Sequence, residues 1–325
     1  MVAPGPVKRK ATVTWRVMAR CPGAAQGTGM NDTLRRFEAA PVKWVEVELG
    51  RMAYRTFGRG PALVFVHGWP LCGATWRDLV AELSDEFTCI VPDLPGAGLT
   101  PWSDRTRDIF VDYGAALAQL VQRLDLGEVG FVGHDSGGTM ARVAAAELGS
   151  RVRAIALTNT EIPGHELDLI PFLQKVAALP GATTIFGWLL RSRWFLRSKL
   201  GFRGAFADLD RLDGEFADAC LRPLRDNVAG AMAALRKADL SFVHRLQAVH
   251  DRIDAPLCCV WGDRDPFFSV EGAQQMVDAW SAPAQLHVEK GMKLFVHEEA
   301  AGAVADRFRP FLRQHLSARP VALSG

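Results

Sequence analysis

The sequence predicts an α/β architecture: a mostly parallel, doubly wound sheet with a helical cap inserted after the sixth strand. Three observations carry this. Short uninterrupted apolar runs recur along the chain, as in A-L-V-F-V (62–66) and F-T-C-I-V (87–91). Such runs mark strands covered on both faces. Segments with helical spacing separate them, and strands alternating with helices imply parallel pairing. Between residues 162 and 246 the alternation stops, and the chain becomes helical in character and rich in Trp, Phe and Arg.

Taken in order, residues 1–38 read as a poorly ordered basic extension, with Lys8, Arg9, Lys10, Arg16 and Arg20 and no acid before residue 30. Met30 is a possible alternative start. K-W-V-E-V-E-L (43–49) alternates like a half-exposed strand, and M-A-Y-R-T-F (52–57), after Gly50, reads as its hairpin partner. The runs at 62–66 and 87–91 follow, with a helix over 74–83 between them and an amphipathic helix over 108–125 after them. G-F-V (130–132) and R-A-I-A-L-T-N (153–159) are the next strands; P-L-C-C-V-W (256–261) and Q-L-H-V-E (285–289) resume after the insertion. Helices are expected over 271–280 and 298–316. The core is thus split into 39–161 and 247–318, around a cap at 162–246.

Composition narrows the function. Hydrophobic residues make up 49% of the chain, enough for a large core, and the net charge of +2 with no long like-charge run argues against nucleic-acid binding. The six cysteines show no C-x-x-C spacing, so the expectation is buried thiols in a reducing, cytoplasmic setting. No apolar run is long enough to span a bilayer and no secretory h-region is present, so no membrane partner is expected.

The chemistry concentrates at V-G-F-V-G-H-D-S-G-G (129–138). A buried strand, a tight turn and a helix make a nucleophile elbow, which needs small residues two positions either side of the nucleophile. Centring on Asp135 places Gly133 and Gly137 there, whereas centring on Ser136 places His134 at the first of them. The spacing selects the aspartate and disfavours a serine hydrolase. Three further motifs keep order with it: H-G-W-P (67–70), D-L-P-G-A-G-L-T (93–100) and W-G-D-R-D (261–265), each after a strand.

Together these motifs resemble the α/β-hydrolase superfamily over about residues 42–316, in its branch with an aspartate nucleophile: haloalkane dehalogenases, soluble-type epoxide hydrolases and fluoroacetate dehalogenases. The resemblance implies that Asp135 attacks a carbon bearing an epoxide oxygen or a halide. It makes Trp69 and Ser136 the backbone N–H donors of an oxyanion hole and Asp265 the acid that orients a histidine, with Asp263 left as a solvated loop carboxylate. His67 and His134 become supporting hydrogen-bond groups. Water is the cosubstrate, no cofactor or metal is needed, and a homodimer is possible.

The base departs from that pattern. Such proteins usually read G-x-G-H-F-x-x-x-E after the last strand; here G-M-K-L-F-V-H-E-E puts Leu294 where the histidine belongs. His297 is the candidate base if the loop turns it inward, and otherwise a contact at the start of the last helix. His287, on the preceding strand, reads as structural. If no base exists, a hydrolase-fold protein that binds a small molecule or performs non-hydrolytic chemistry is the alternative. Substrate markers are sparse: Ser136 stands where halide-cleaving relatives carry Trp and fluoroacetate enzymes Arg, and the only tyrosines, Tyr54 and Tyr113, fall outside the cap. Epoxide is preferred over halide, with a small apolar organic molecule as substrate. Trp188 is the candidate pocket residue in the cap, and Arg191, Arg193, Arg197, Lys199 and Arg203 read as a solvated helix face.

Overall fold

The computed structural model describes residues 32–316. Its centre is an eight-stranded sheet: β1 (Lys43–Val47), β2 (Gly50–Phe57), β3 (Ala62–Val66), β4 (Thr88–Pro92), β5 (Val129–His134), β6 (Val152–Thr158), β7 (Leu257–Gly262) and β8 (Ala284–Glu289). The spatial order is β1-β2-β4-β3-β5-β6-β7-β8. Pairing is antiparallel where β2 meets β1 and β4, and parallel from β4 through β8. Strands β3, β4, β5 and β7 are buried at every position, which accounts for their continuous apolar runs.

The helices before the insertion are α1 (Asp32–Ala39), α2 (Arg77–Leu83), α3 (Ile109–Arg123) and α4 (Ser136–Leu148). Helix α1 corrects the expected extension, whose residues 1–31 lie outside the described ones. Leu34 and Phe37 fall on one face of its single amphipathic stretch and are buried, with Phe37 stacked on Phe57 at 5.2 Å.

Between β6 and β7 the described structure holds no strand. It contains α5 (Leu169–Ala177), α6 (Ala182–Leu189), α7 (Arg193–Leu196), α8 (Arg222–Asp226), α9 (Val228–Arg236) and α10 (Leu246–His250). An aromatic cluster joins this insertion to the loop after β8: Phe206 lies 4.8 Å from Phe216 and 5.0 Å from Phe295, ring to ring. Phe295 N–H also donates to Ala205 O at 3.0 Å. The chain closes with α11 (Val270–Asp278), α12 (Val296–Glu299) and α13 (Ala301–His315).

The cationic run of the insertion is partly paired. Arg193 reaches Asp213 at 2.6 Å, and Arg197 reaches Asp210 at 2.8 Å and Asp213 at 2.5 Å, acids supplied from later in the chain.

Candidate active site

Strand β5 lies between β3 and β6 at the middle of the sheet and ends at His134; Asp135 follows, and α4 begins at once after it. Asp135 has φ 50° and ψ −140°, a conformation that costs a non-glycine residue on the order of 1–3 kcal/mol. Local bonds hold it: its N–H donates to Asn159 O at 2.8 Å, and its carbonyl accepts from Gly138 N–H at 2.8 Å. The neighbouring chain must come close for this bend to exist. A Cβ on Gly68 would lie 2.5 Å from Asp135 Oδ2, and one on Gly137 would collide with the carbonyls of Val66 and His67. The strained bend turns the carboxylate into a cavity of about 470 Å³ between core and insertion. Its walls are mostly apolar, with Asp135, Ser136, Glu161 and His165 among the polar exceptions.

Of the two expected amide donors, the N–H of Trp69 is already engaged. Trp69 N–H donates to Ser136 Oγ at 2.9 Å, and that hydroxyl donates to Asp135 Oδ2 at 3.3 Å. Trp69 is thereby spent on a side chain that itself reaches the carboxylate. Its indole N–H is fixed on Ala231 O at 2.8 Å, tying the H-G-W-P loop to α9. Burial and the neighbouring charge of Glu161 hold Asp135 well above the usual carboxylate range; the N–H and O–H of Ser136 oppose that rise, and Asp265 adds to it.

Asp265 follows β7 and lies outside the cavity lining, and among the described residues no histidine is bonded to it. Its Oδ2 accepts from Asn159 Nδ2 at 2.7 Å and its Oδ1 from Phe267 N–H at 2.8 Å. Burial pushes it up to about 6, against those bonds. Asn159 was not marked by the sequence reading. Its Oδ1 accepts from Gly262 N–H at 3.0 Å and its backbone carbonyl from Asp135 N–H, so one residue links the ends of β5, β6 and β7.

Leu294 is 8% exposed and lines the cavity, so an aliphatic side chain stands on the wall that holds Asp135. His297 does not replace it. The ring is fully buried, outside the cavity lining, with Nε2 bonded to Thr75 Oγ1 at 2.9 Å and its centroid 4.2 Å from that of His134 and 4.5 Å from that of Trp76. The start of α12 packs it into the core, and burial, with His134 and Arg77 nearby, holds it well below the ordinary imidazole range. The expected inward swing is corrected by that packing. Trp188 is corrected too: it is 67% exposed and outside the cavity lining, because α6 turns Ala182, Ile185, Phe186 and Leu189 to the cavity instead.

His67 and His134 take hydrogen-bond positions. His67 Nε2 accepts from Leu94 N–H at 3.0 Å, which leaves its Nδ1–H for Gly68 O at 3.1 Å. His134 Nδ1 bonds to Thr158 O at 3.2 Å. The histidine that does line the cavity is His165, at the start of the insertion, with Nε2 2.8 Å from Phe267 O. It escaped the sequence reading, as did Glu161.

The model of the alpha/beta hydrolase fold family matches residues 61–301. Haloalkane dehalogenase 2 of Mycobacterium tuberculosis is 25% identical over 279 residues, covering 82% of this chain and 94% of that protein. A soluble epoxide hydrolase of a Corynebacterium species is 35% identical over 130 residues, 38% of this chain and 40% of that one. The solved structure of the epoxide hydrolase CorEH superposes with a TM-score of 0.70 at 20% identity, over 84% of this chain and 99% of its own. The chain therefore belongs to the alpha/beta hydrolase fold family, as a relative of haloalkane dehalogenases and epoxide hydrolases.

Proposed function

We propose that Asp135 is a nucleophile that opens a small apolar epoxide, and less readily displaces a halide, through an alkyl ester of its own carboxylate. The observation that carries this reading is the placement of the Asp135 carboxylate. It sits on a strained turn, at the wall of an apolar cavity of about 470 Å³, within the range of ligand sites. The curated names of the relatives support the electrophile class. Ser136, in place of an indole donor, favours epoxide over halide. In the attack, a lone pair of an Asp135 oxygen forms the new C–O bond while the bond from that carbon to the leaving oxygen breaks. Ser136, polarised by Trp69 N–H, donates to the same carboxyl group and stabilises the negative charge that develops there when water later attacks.

A second reading draws on Leu294: with an aliphatic side chain on the cavity wall, the ester persists and the protein captures a small molecule without turnover. One experiment addresses both. The protein is incubated with a panel of terminal epoxides and 1-bromoalkanes, and intact mass is followed in time. The proposal expects an adduct that maps to the peptide of Asp135 and is absent in Asp135→Asn. Decay of the adduct with release of diol supports hydrolysis, and an adduct stable for hours supports capture. Turnover or labelling unchanged in Asp135→Asn contradicts the proposal.

A further inference from the structure

Leu294 puts no imidazole at the position expected for the base, and the insertion, lacking tyrosine, offers no phenol to protonate an opened epoxide. One buried group lining the cavity can supply both functions. Glu161 sits just past the end of β6, at the carboxyl ends of the parallel strands, where open α/β sheets place their ligands. Its Oε2 accepts from Thr139 Oγ1 at 2.7 Å, with Thr160 Oγ1 at 3.0 Å, and the same Thr160 hydroxyl lies 2.7 Å from Asp135 O. Both hydroxyls are fixed by the buried Arg142, whose Nη2 donates to each at 2.9 Å and to Glu161 O at 2.9 Å. One carboxylate oxygen is therefore anchored from behind. The other, Oε1, makes no hydrogen bond among the described residues and is left for the cavity.

We infer that Glu161 is the acid and base of this site, so that the pair Asp135–Glu161 works as nucleophile and proton carrier in place of a histidine triad. This rests on the nucleophilic reading of Asp135. In the reactive form Asp135 is ionised and Glu161 carries a proton, so that only one of the two carboxyl groups facing the cavity is charged. In the first step ionised Asp135 attacks the epoxide carbon, the C–O bond breaks toward oxygen, and the proton on Glu161 passes to that oxygen. In the second step Glu161 takes a proton from a water whose oxygen attacks the carboxyl carbon of Asp135. The tetrahedral intermediate expels the alkyl oxygen, which takes the proton back from Glu161. The diol leaves and the pair again holds one proton. The logic is that of retaining glycosidases, where a carboxyl group is acid in one half-reaction and base in the other.

Glu161→Gln, Glu161→Asp and His165→Gln are compared with wild type, using a terminal aryl epoxide and a 1-bromoalkane of matched size. Adduct mass and its decay are followed after excess reagent is removed. Bromide leaves without a proton, so the two electrophiles separate the roles. In Glu161→Gln, epoxide alkylation falls by about 10²-fold and ester decay, from either electrophile, by about 10²–10⁴-fold. Bromide alkylation stays equal or rises, with its pH profile moved to lower pH, because a neutral amide no longer opposes the charge on Asp135. Glu161→Asp recovers part of the ester decay, and His165→Gln slows it less than Glu161→Gln does. A variant altered only in its folding would slow both electrophiles alike. Ester decay in Glu161→Gln at the wild-type rate, or an ester trapped by His165→Gln instead, overturns the inference while leaving Asp135 as nucleophile. Absence of adduct in every protein with both electrophiles overturns the nucleophilic reading, and this inference with it.

Discussion

Trp69 and Ser136 are joined by a hydrogen bond, N–H to Oγ at 2.9 Å, that spends a backbone donor on the residue next to Asp135. The hydroxyl passes this polarisation on to Asp135 Oδ2 at 3.3 Å. A bond to the charged form favours ionisation, and Ser136 is what opposes the upward shift of Asp135. Ser136→Ala removes the hydroxyl and raises the carboxyl further. The pH profile of adduct formation in single-turnover experiments then moves to higher pH, by about half a unit to one unit for a lost charge-assisted bond of roughly 1 kcal/mol. A profile unchanged or moved to lower pH contradicts this arrangement.

Leu294→His tests the position at which similar sequences carry a histidine. The position is 8% exposed and on the cavity wall, so an imidazole there faces the ester. Ester decay should accelerate at least about tenfold, within the range of general-base catalysis. The same substitution in the Glu161→Gln background should restore decay that the single Gln variant lacks. Replacing a buried leucine with a polar ring costs about 1–3 kcal/mol, readable as a lower Tm. No change in decay in either background would mean that position 294 does not face the ester.

Gly68 is a steric test of the same geometry. A Cβ at 2.5 Å from Asp135 Oδ2 forces the carboxylate to move. Gly68→Ala should abolish adduct formation while leaving the Tm within a few degrees, measured by melting and intact mass on one sample. Full labelling would show that Asp135 does not act from the position described.

Much of the site was legible because short-range sequence sets it. The glycines at 133 and 137 can be counted along the chain, and the elbow follows from them whatever else surrounds it. The apolar runs likewise identify buried strands without knowledge of their partners. Asn159 and Glu161 were not legible in this way, since what matters is their convergence from the end of β6, Asn159 onto Asp135 and Gly262 and Glu161 onto Thr139 of α4. The available signal was a polar N-T-E following an apolar run, at the strand end where ligands gather. His297 misled for a related reason: its spacing to the usual histidine is local, but the contact with Thr75 that fixes it inward to the core is not. Trp188 failed on helical phase, because near-helical aromatic spacing in α6 does not say which face meets the cavity.

Buried histidines give a pH dependence of stability. His134 is held at about 3, chiefly by burial, whereas in an unfolded chain it protonates near 6.5. The folded value is depressed, so the stabilisation is complete above pH 6.5 and is lost as pH falls toward 3. At pH 5 the loss is about 2 kcal/mol. Comparing Tm at pH 7.5 and pH 5, His134→Asn should lessen the acid-induced drop by about 4–8 °C relative to wild type. An equal drop in both proteins would show that His134 takes up its proton without unfolding.

The most direct test of the central claim follows the oxygen atoms. With protein in excess over a terminal epoxide, in water enriched in oxygen-18, one turnover is run and both diol and protein are analysed by mass. If Asp135 is the nucleophile, its carboxylate oxygen enters the first diol, which stays unlabelled, and the heavy oxygen appears in the peptide of Asp135. Heavy oxygen found in the diol, with none in that peptide, would mean that water attacks the epoxide itself, and the account would be wrong.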